Sequence, residues 1–233
     1  MIFQTWYATI NTTKNHKNKQ KRPSPAARQT KKRGLIQVTD FIVKNSSGTF
    51  RANSFERLLM QRVICIEGDI TNESAQEIVR QLLALDLESS DNITLVINSP
   101  GGSASGGMAV VDTIRVMRSK VIAVCTGIAY SMAAAIFGCC RRRIMLEHSS
   151  LMIHSGFHFG VVKGGERDVE AMCDDVRRAR ESYYKVIADI CHKSVDEISQ
   201  YCSSDFFMDS QQAVVFGLAD EVAKDLAILR EGS

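Results

Sequence analysis

Ser131 is the first residue whose setting suits covalent chemistry. Val121 to Thr126 reads as a buried strand, Thr126-Gly127-Ile128-Ala129-Tyr130-Ser131 closes it, and small apolar residues continue from Met132 as a helix. The hydroxyl therefore stands at a helix N-terminus. Its ordinary use there is as an N-cap, accepting a hydrogen bond from an unpaired backbone N–H. Its other use is as a nucleophile, since the Met132 N–H and the helix dipole both face an oxygen gaining negative charge on an attacked carbonyl. That second use needs a base. Of five histidines, His16 lies in the N-terminal tail, His148 in a polar turn, and His158 and His192 have no evident functional setting. His154 ends the apolar strand Leu151-Met152-Ile153, which carries its ring to a sheet end on a rigid support, a place where a lone histidine is also commonly structural. The base in turn needs a carboxylate to fix its tautomer, and among 26 acidic residues the sequence by itself singles out none.

A second feature lies upstream. Ser99-Pro100-Gly101-Gly102 follows the strand Ile93 to Asn98 and turns sharply, because proline fixes one torsion while paired glycines reach torsions closed to other residues. Such a loop exposes backbone N–H groups. Neither GxGxxG nor a P-loop with its lysine fits Gly101 to Gly107, so oxyanion stabilisation is a better use for it than nucleotide binding.

The elements that must position these groups alternate along the chain. Arg62 to Glu67 is a strand, followed from Asn72 by Ala75, Ile78, Val79, Leu82 and Leu85 at helical spacing. Ile93 to Asn98 and Val121 to Thr126 are further strands, followed by helices over Ser105 to Met117 and Met132 to Phe137. Three strand-helix units in succession predict parallel pairing and an α/β fold. Shorter strands are expected at Arg143 to Leu146 and Leu151 to His154. A glycine-containing stretch, Gly156 to Gly165, then precedes a long helix from Glu166 to His192 whose apolar stripe reaches beyond the core. Ser194 with Glu197, and Asp209 with Gln212, form capping boxes for two short helices.

Composition sets the outer limits. A chain of 233 residues, 45% apolar, fills one domain of ordinary size. Its net charge of +3 hides an asymmetry: residues 1–34 hold nine Lys or Arg and no acid, leaving −6 on residues 35–233. The expected organisation is a basic, disordered extension over 1–34 and a folded domain over 35–233. A basic arm of this kind is ordinarily solvated, so no nucleic-acid partner is expected. No secretory h-region and no apolar run of membrane-spanning length is present, so no membrane partner is expected and a cytoplasmic location is. The acid-poor tail also suits an organelle transit peptide, which would lead to the mitochondrial matrix or plastid stroma. Seven cysteines with no CxxC spacing indicate reduced thiols rather than zinc, with Cys65 and Cys125 in the core and Cys139 and Cys140 packing at a helix end.

The segments NSPGGSASGGMAVVDTIR, TGIAYSMAAAI, LMIHSG and DFFMDSQQAVVFGLAD, in this order, resemble the signatures of the Clp protease proteolytic subunit from about Ser54 to Val222. The resemblance implies a crotonase-like fold of repeated strand-strand-helix units with a protruding handle made of a strand and the long helix. It implies a serine endopeptidase with Ser131 as nucleophile, His154 as base and Asp205 as the orienting carboxylate, and with the Gly102 and Met132 N–H groups as the oxyanion hole. It further implies stacked seven-membered rings, homo-oligomeric or mixed, that form a tetradecamer. An AAA+ unfoldase of the Clp type would spend ATP to deliver unfolded proteins, with no cofactor on this chain. Three further readings stay open: a non-catalytic ring subunit, a viral capsid-maturation protease of related fold, and a crotonase-type acyl-CoA hydratase or isomerase. The chain departs from the family pattern at Ser203 and Ser204, where an acid and an arginine usually pair across rings, at Ser155 in place of proline, and at the bulky Tyr130.

Overall fold

The computed structural model describes residues 40–45, 48–156 and 165–225. The expected disordered extension lies outside the described residues, as does most of the Gly156 to Gly165 stretch read as the handle strand. The described residues begin with an antiparallel hairpin, β1 (Phe41–Asn45) and β2 (Gly48–Ala52), for which the sequence carries no strand signal, and a short helix α1 (Ser54–Leu59). Strand-helix units follow: β3 (Val63–Ile70), α2 (Asn72–Glu88), β4 (Ile93–Gly102), α3 (Ala104–Val116), β5 (Val121–Tyr130) and α4 (Met132–Gly138). Then come β6 (Arg142–Met145), β7 (Ser150–Ile153), α5 (Glu166–Cys191), α6 (Val195–Tyr201), β8 (Phe206–Asp209), α7 (Ser210–Phe216) and β9 (Glu221–Val222).

The main sheet runs β3-β4-β5-β6-β9 with every neighbouring pair parallel, as the strand-helix alternation predicts. Strand β5 serves two partners in turn. Its first half pairs with β6, from Ile122 to Cys125, and its last residues, Ile128 to Tyr130, pair with β7. On its other edge β7 pairs antiparallel with β8, setting Ile153 opposite Phe206. These two pairings bring the end of β5, the end of β7 and the start of β8 to one corner of the sheet.

Each end of these elements has an identifiable cause. Carbonyls in the last turn of α2 and in the segment after it are gathered by Arg62, whose guanidinium donates to Leu85, Ser89, Asp91 and Asn92 at 3.0 to 3.2 Å. Both capping boxes read from the sequence form: Ser194 and Glu197 open α6, and Asp209 and Gln212 open α7. Helix α4 is buried along its whole length, packed on the sheet within the main core, so the residue at its N-terminus has a rigid base. Helix α5 is buried only from Tyr183 onward, and its first half stands off the core as expected of a helix so long. Cys125 is buried, whereas Cys65, expected in the core, is only half-buried, because on β3 it alternates with the buried Ile64 and Ile66 and so lies on the face opposite the main core.

Candidate active site

Ser131 occupies the single-residue turn between β5 and α4 with φ 54° and ψ −122°. A non-glycine residue held there costs roughly 1–3 kcal/mol, so the surroundings must impose it. Its N–H donates to the Met152 carbonyl at 2.8 Å, and its carbonyl accepts from Ala134 at 3.0 Å and Ala135 at 3.3 Å. The side chain makes no cap hydrogen bond. The N-cap use that the sequence also allowed is therefore ruled out: a capping serine needs the extended torsions that fold its oxygen back over the first turn. Ser131 Oγ instead lies 2.9 Å from His154 Nε2.

His154 follows the last residue of β7 directly, so the β5–β7 pairing fixes its distance from Ser131. The other ring nitrogen, Nδ1, is 3.2 Å from Asp205 Oδ1, and Asp205 directly precedes β8. The antiparallel β7–β8 register thus supplies the carboxylate that the sequence by itself could not choose. A carboxylate on Nδ1 holds the proton there and leaves the Nε2 lone pair facing the serine hydroxyl. The imidazole side chain is 16% exposed and the aspartate 58%. Gly156 lets the chain pass close by, since a Cβ there would stand 2.6 Å from Nδ1.

The glycine turn closes the third side. Gly101 has φ 92° and Gly102 φ 148°, as the paired glycines predict. Ser99 ties this turn to the β3 bulge: its Oγ donates to the Gly68 carbonyl at 2.6 Å and accepts from the Gly101 N–H at 3.1 Å. Gly102 abuts β3 so closely that a Cβ would land on the Ile70 carbonyl. Met132, the first residue of α4, has an N–H with no intrahelical partner by virtue of its position. Gly102, Met132, Ser131, His154 and Asp205 all line one open cleft of about 920 Å³. The glycine turn and the start of α4 thus share with the Ser131 hydroxyl the lining of one cleft. Met152, Met172 and Val176 supply an apolar wall, which suits a side chain lying beside the attacked bond.

Two tyrosines brace the backbone around the serine. Tyr183, which the sequence places only on the apolar stripe of α5, donates its hydroxyl to the Ser131 carbonyl at 3.3 Å. Tyr130, expected as bulk beside the serine, stacks edge-on against Phe207 at 5.5 Å and shares a 2.7 Å hydrogen bond with Ser150 Oγ, tying β5 to β7 and β8. His148 and His192 stand elsewhere, the latter as the left-handed cap of α5, and His16 and His158 lie outside the described residues. Ser203 and Ser204 are exposed in the turn before Asp205. Among the described residues no cluster of His, Cys, Asp or Glu is arranged to hold a metal ion, and no helix is long and apolar enough to cross a membrane. The sequence model of a family described as Clp protease matches residues 46–225.

Proposed function

The chain belongs to the Clp protease family, and from that premise we propose that it is a serine endopeptidase in which Ser131 attacks, His154 moves the proton and Asp205 holds the imidazole. The observation that carries this reading is the unbroken line from Ser131 Oγ to His154 Nε2 at 2.9 Å and from His154 Nδ1 to Asp205 at 3.2 Å. As Oγ adds to the peptide carbonyl, its proton passes to Nε2 and the carbonyl oxygen becomes an oxyanion facing the Gly102 and Met132 N–H groups. Each such donor is worth about 3 kcal/mol of barrier, or roughly a hundredfold in rate. His154 then returns the proton to the leaving amine as the C–N bond breaks, leaving an acyl group on Ser131. Water, deprotonated by the same imidazole, releases the acid and restores the hydroxyl. Asp205 keeps its hold on Nδ1 and stabilises the imidazolium.

The substrates in this proposal are unfolded proteins, threaded into a ring-shaped chamber by an AAA+ partner that spends the ATP. The first half of α5, standing off the core with Val169 exposed, suits packing between rings. The family pattern carries an acid and an arginine where this chain has Ser203 and Ser204, so in this proposal the rings stack more weakly or under different control. A fluorogenic peptide assay on purified protein, with negative-stain images of the same sample, tests the proposal. Rings that cleave the peptide, and lose cleavage on Ser131→Ala, support it. Rings without cleavage would instead indicate a structural subunit. Acyl-CoA turnover that survives Ser131→Ala would point to the hydratase reading.

A further inference from the structure

The Ser131–Met132 peptide is gripped from a side that the proposed chemistry does not use. Peptide planarity turns the Ser131 carbonyl and the Met132 N–H to opposite sides of one rigid unit, so whatever fixes the carbonyl also aims the N–H. Ala134 and Ala135 donate to that carbonyl from the first turn of α4 and would follow any rotation of the turn. The third donor is independent of it. Tyr183 comes from α5, 52 residues further along the chain, and its hydroxyl reaches the same carbonyl at 3.3 Å.

Tyr183 is only 2% exposed, and its ring is locked in the core beside the cleft. Burial pushes its phenol well above the ordinary value, with the thiols of Cys202 and Cys191 and the Tyr184 phenol adding to the rise and the His154 backbone opposing it. The hydroxyl therefore remains a donor throughout the working pH range. We infer that Tyr183 is a positioning residue for the reaction proposed above: its hydroxyl, by holding the Ser131 carbonyl, fixes and polarises the peptide whose Met132 N–H receives the oxyanion. Hydrogen bonds in series strengthen one another, so a donor on the carbonyl sharpens the N–H on the far side. This inference rests on the peptidase reading, and it makes the seat of α5 a determinant of oxyanion stabilisation.

The effect belongs to the transition state. An oxyanion donor engages the charged tetrahedral oxygen more strongly than the ground-state carbonyl, so weakening it lowers kcat and leaves KM nearly unchanged. Folding is affected little by the change Tyr183→Phe, because the ring still fills its space and the Ser131 carbonyl keeps two donors.

The test uses the full-length, assembled protein as wild type, as Tyr183→Phe, and with 3-fluorotyrosine incorporated at position 183, which retains the donor. Peptide hydrolysis gives kcat and KM, a peptide boronic acid that forms a tetrahedral adduct on Ser131 reports oxyanion affinity, and thermal unfolding reports stability. Tyr183→Phe is expected to lower kcat about tenfold with KM within about twofold. Boronate affinity should fall by the same factor, Tm should move by no more than a few degrees, and 3-fluorotyrosine should restore wild-type values. An unchanged kcat in Tyr183→Phe, a loss confined to KM, or a collapse in Tm overturns the inference while the peptidase reading stands. A wild-type assembly inert to both peptide and boronate overturns the peptidase reading itself.

Discussion

Replacing Gly101 with alanine tests how closely the glycine turn is fitted to the nucleophile. A Cβ there would stand 2.5 Å from the Tyr130 carbonyl oxygen, 2.9 Å from Ser131 Cβ and 3.0 Å from Met132 N. Ordinary contact begins near 3.4 Å, so one of the two turns must retreat by about 0.9 Å. None of the obstructing atoms is the end of a flexible side chain, and all belong to the segment centred on Ser131 with its φ of 54°. A misplacement of about 1 Å between reacting groups costs on the order of 10²-fold in rate, and alanine at φ 92° adds roughly 1–3 kcal/mol of strain to folding. Gly101→Ala should therefore lower kcat/KM for a small fluorogenic peptide about a hundredfold and lower Tm by a few degrees. Gly68→Ala separates the two contributions. Gly68 also has a left-handed φ, of 68°, but a Cβ there meets nothing within 4 Å. It should cost comparable stability and leave kcat/KM within about twofold, because strain without collision does not move the reacting groups. Equal activity losses in the two variants, or a Gly101→Ala enzyme with more than half the wild-type rate, would refute the steric argument.

Further outcomes follow from the same geometry. Ser131→Gly should abolish hydrolysis yet raise unfolding stability by about 1 kcal/mol, because glycine relaxes the left-handed backbone and no cap hydrogen bond is lost; a drop in stability under chemical denaturation would mean that the hydroxyl caps α4 after all. Asp205→Asn should reduce kcat by two to four orders of magnitude, about 3–5 kcal/mol, by allowing the wrong imidazole tautomer, with KM and Tm nearly unchanged because the side chain is largely exposed; a change in KM alone would speak against an orienting role. The Ser119 N–H, 2.7 Å from Asp86, holds that carboxyl below its ordinary value, with smaller help from the Ser119 hydroxyl and Arg118. The stability this contributes is complete above the unfolded value near pH 3.9 and is lost as pH falls through the lower folded value. Urea unfolding of the wild type should therefore weaken more steeply with falling pH in that acid range than unfolding of Asp86→Asn, and parallel curves would deny the linkage.

The sequence exposes elements whose signals are local and hides those set by pairing across the chain. Helix α5 and both capping boxes could be read because periodicity and cap chemistry act within a few residues. The parallel order of β3, β4 and β5 follows from the alternation of strands and helices. The hairpin of β1 and β2 carries mixed polar and exposed apolar residues without clean alternation, so no strand signal rises there. The site divides in the same way. His154 could be proposed from its strand, but Asp205 owes its place to the β7–β8 register, and β8 has only four residues. In the sequence, only the family resemblance points to it. Ser131 could be placed at a helix start but not given its torsions, and those torsions decide between a cap and a nucleophile. Tyr183 looked like one more apolar residue on a stripe because the carbonyl it reaches lies 52 positions away.

The proposed mechanism depends above all on activation of the Ser131 hydroxyl by the His154 and Asp205 beside it. The most direct measurement is mass spectrometry of the assembled protein after exposure to a fluorophosphonate, which is attacked by an activated serine and loses fluoride. The expected result is one adduct per chain, on the peptide containing Ser131, with labelling abolished by Ser131→Ala and slowed at least a hundredfold by His154→Ala. Labelling spread over other serines, or a Ser131 that stays unmodified in intact assemblies, would contradict the account.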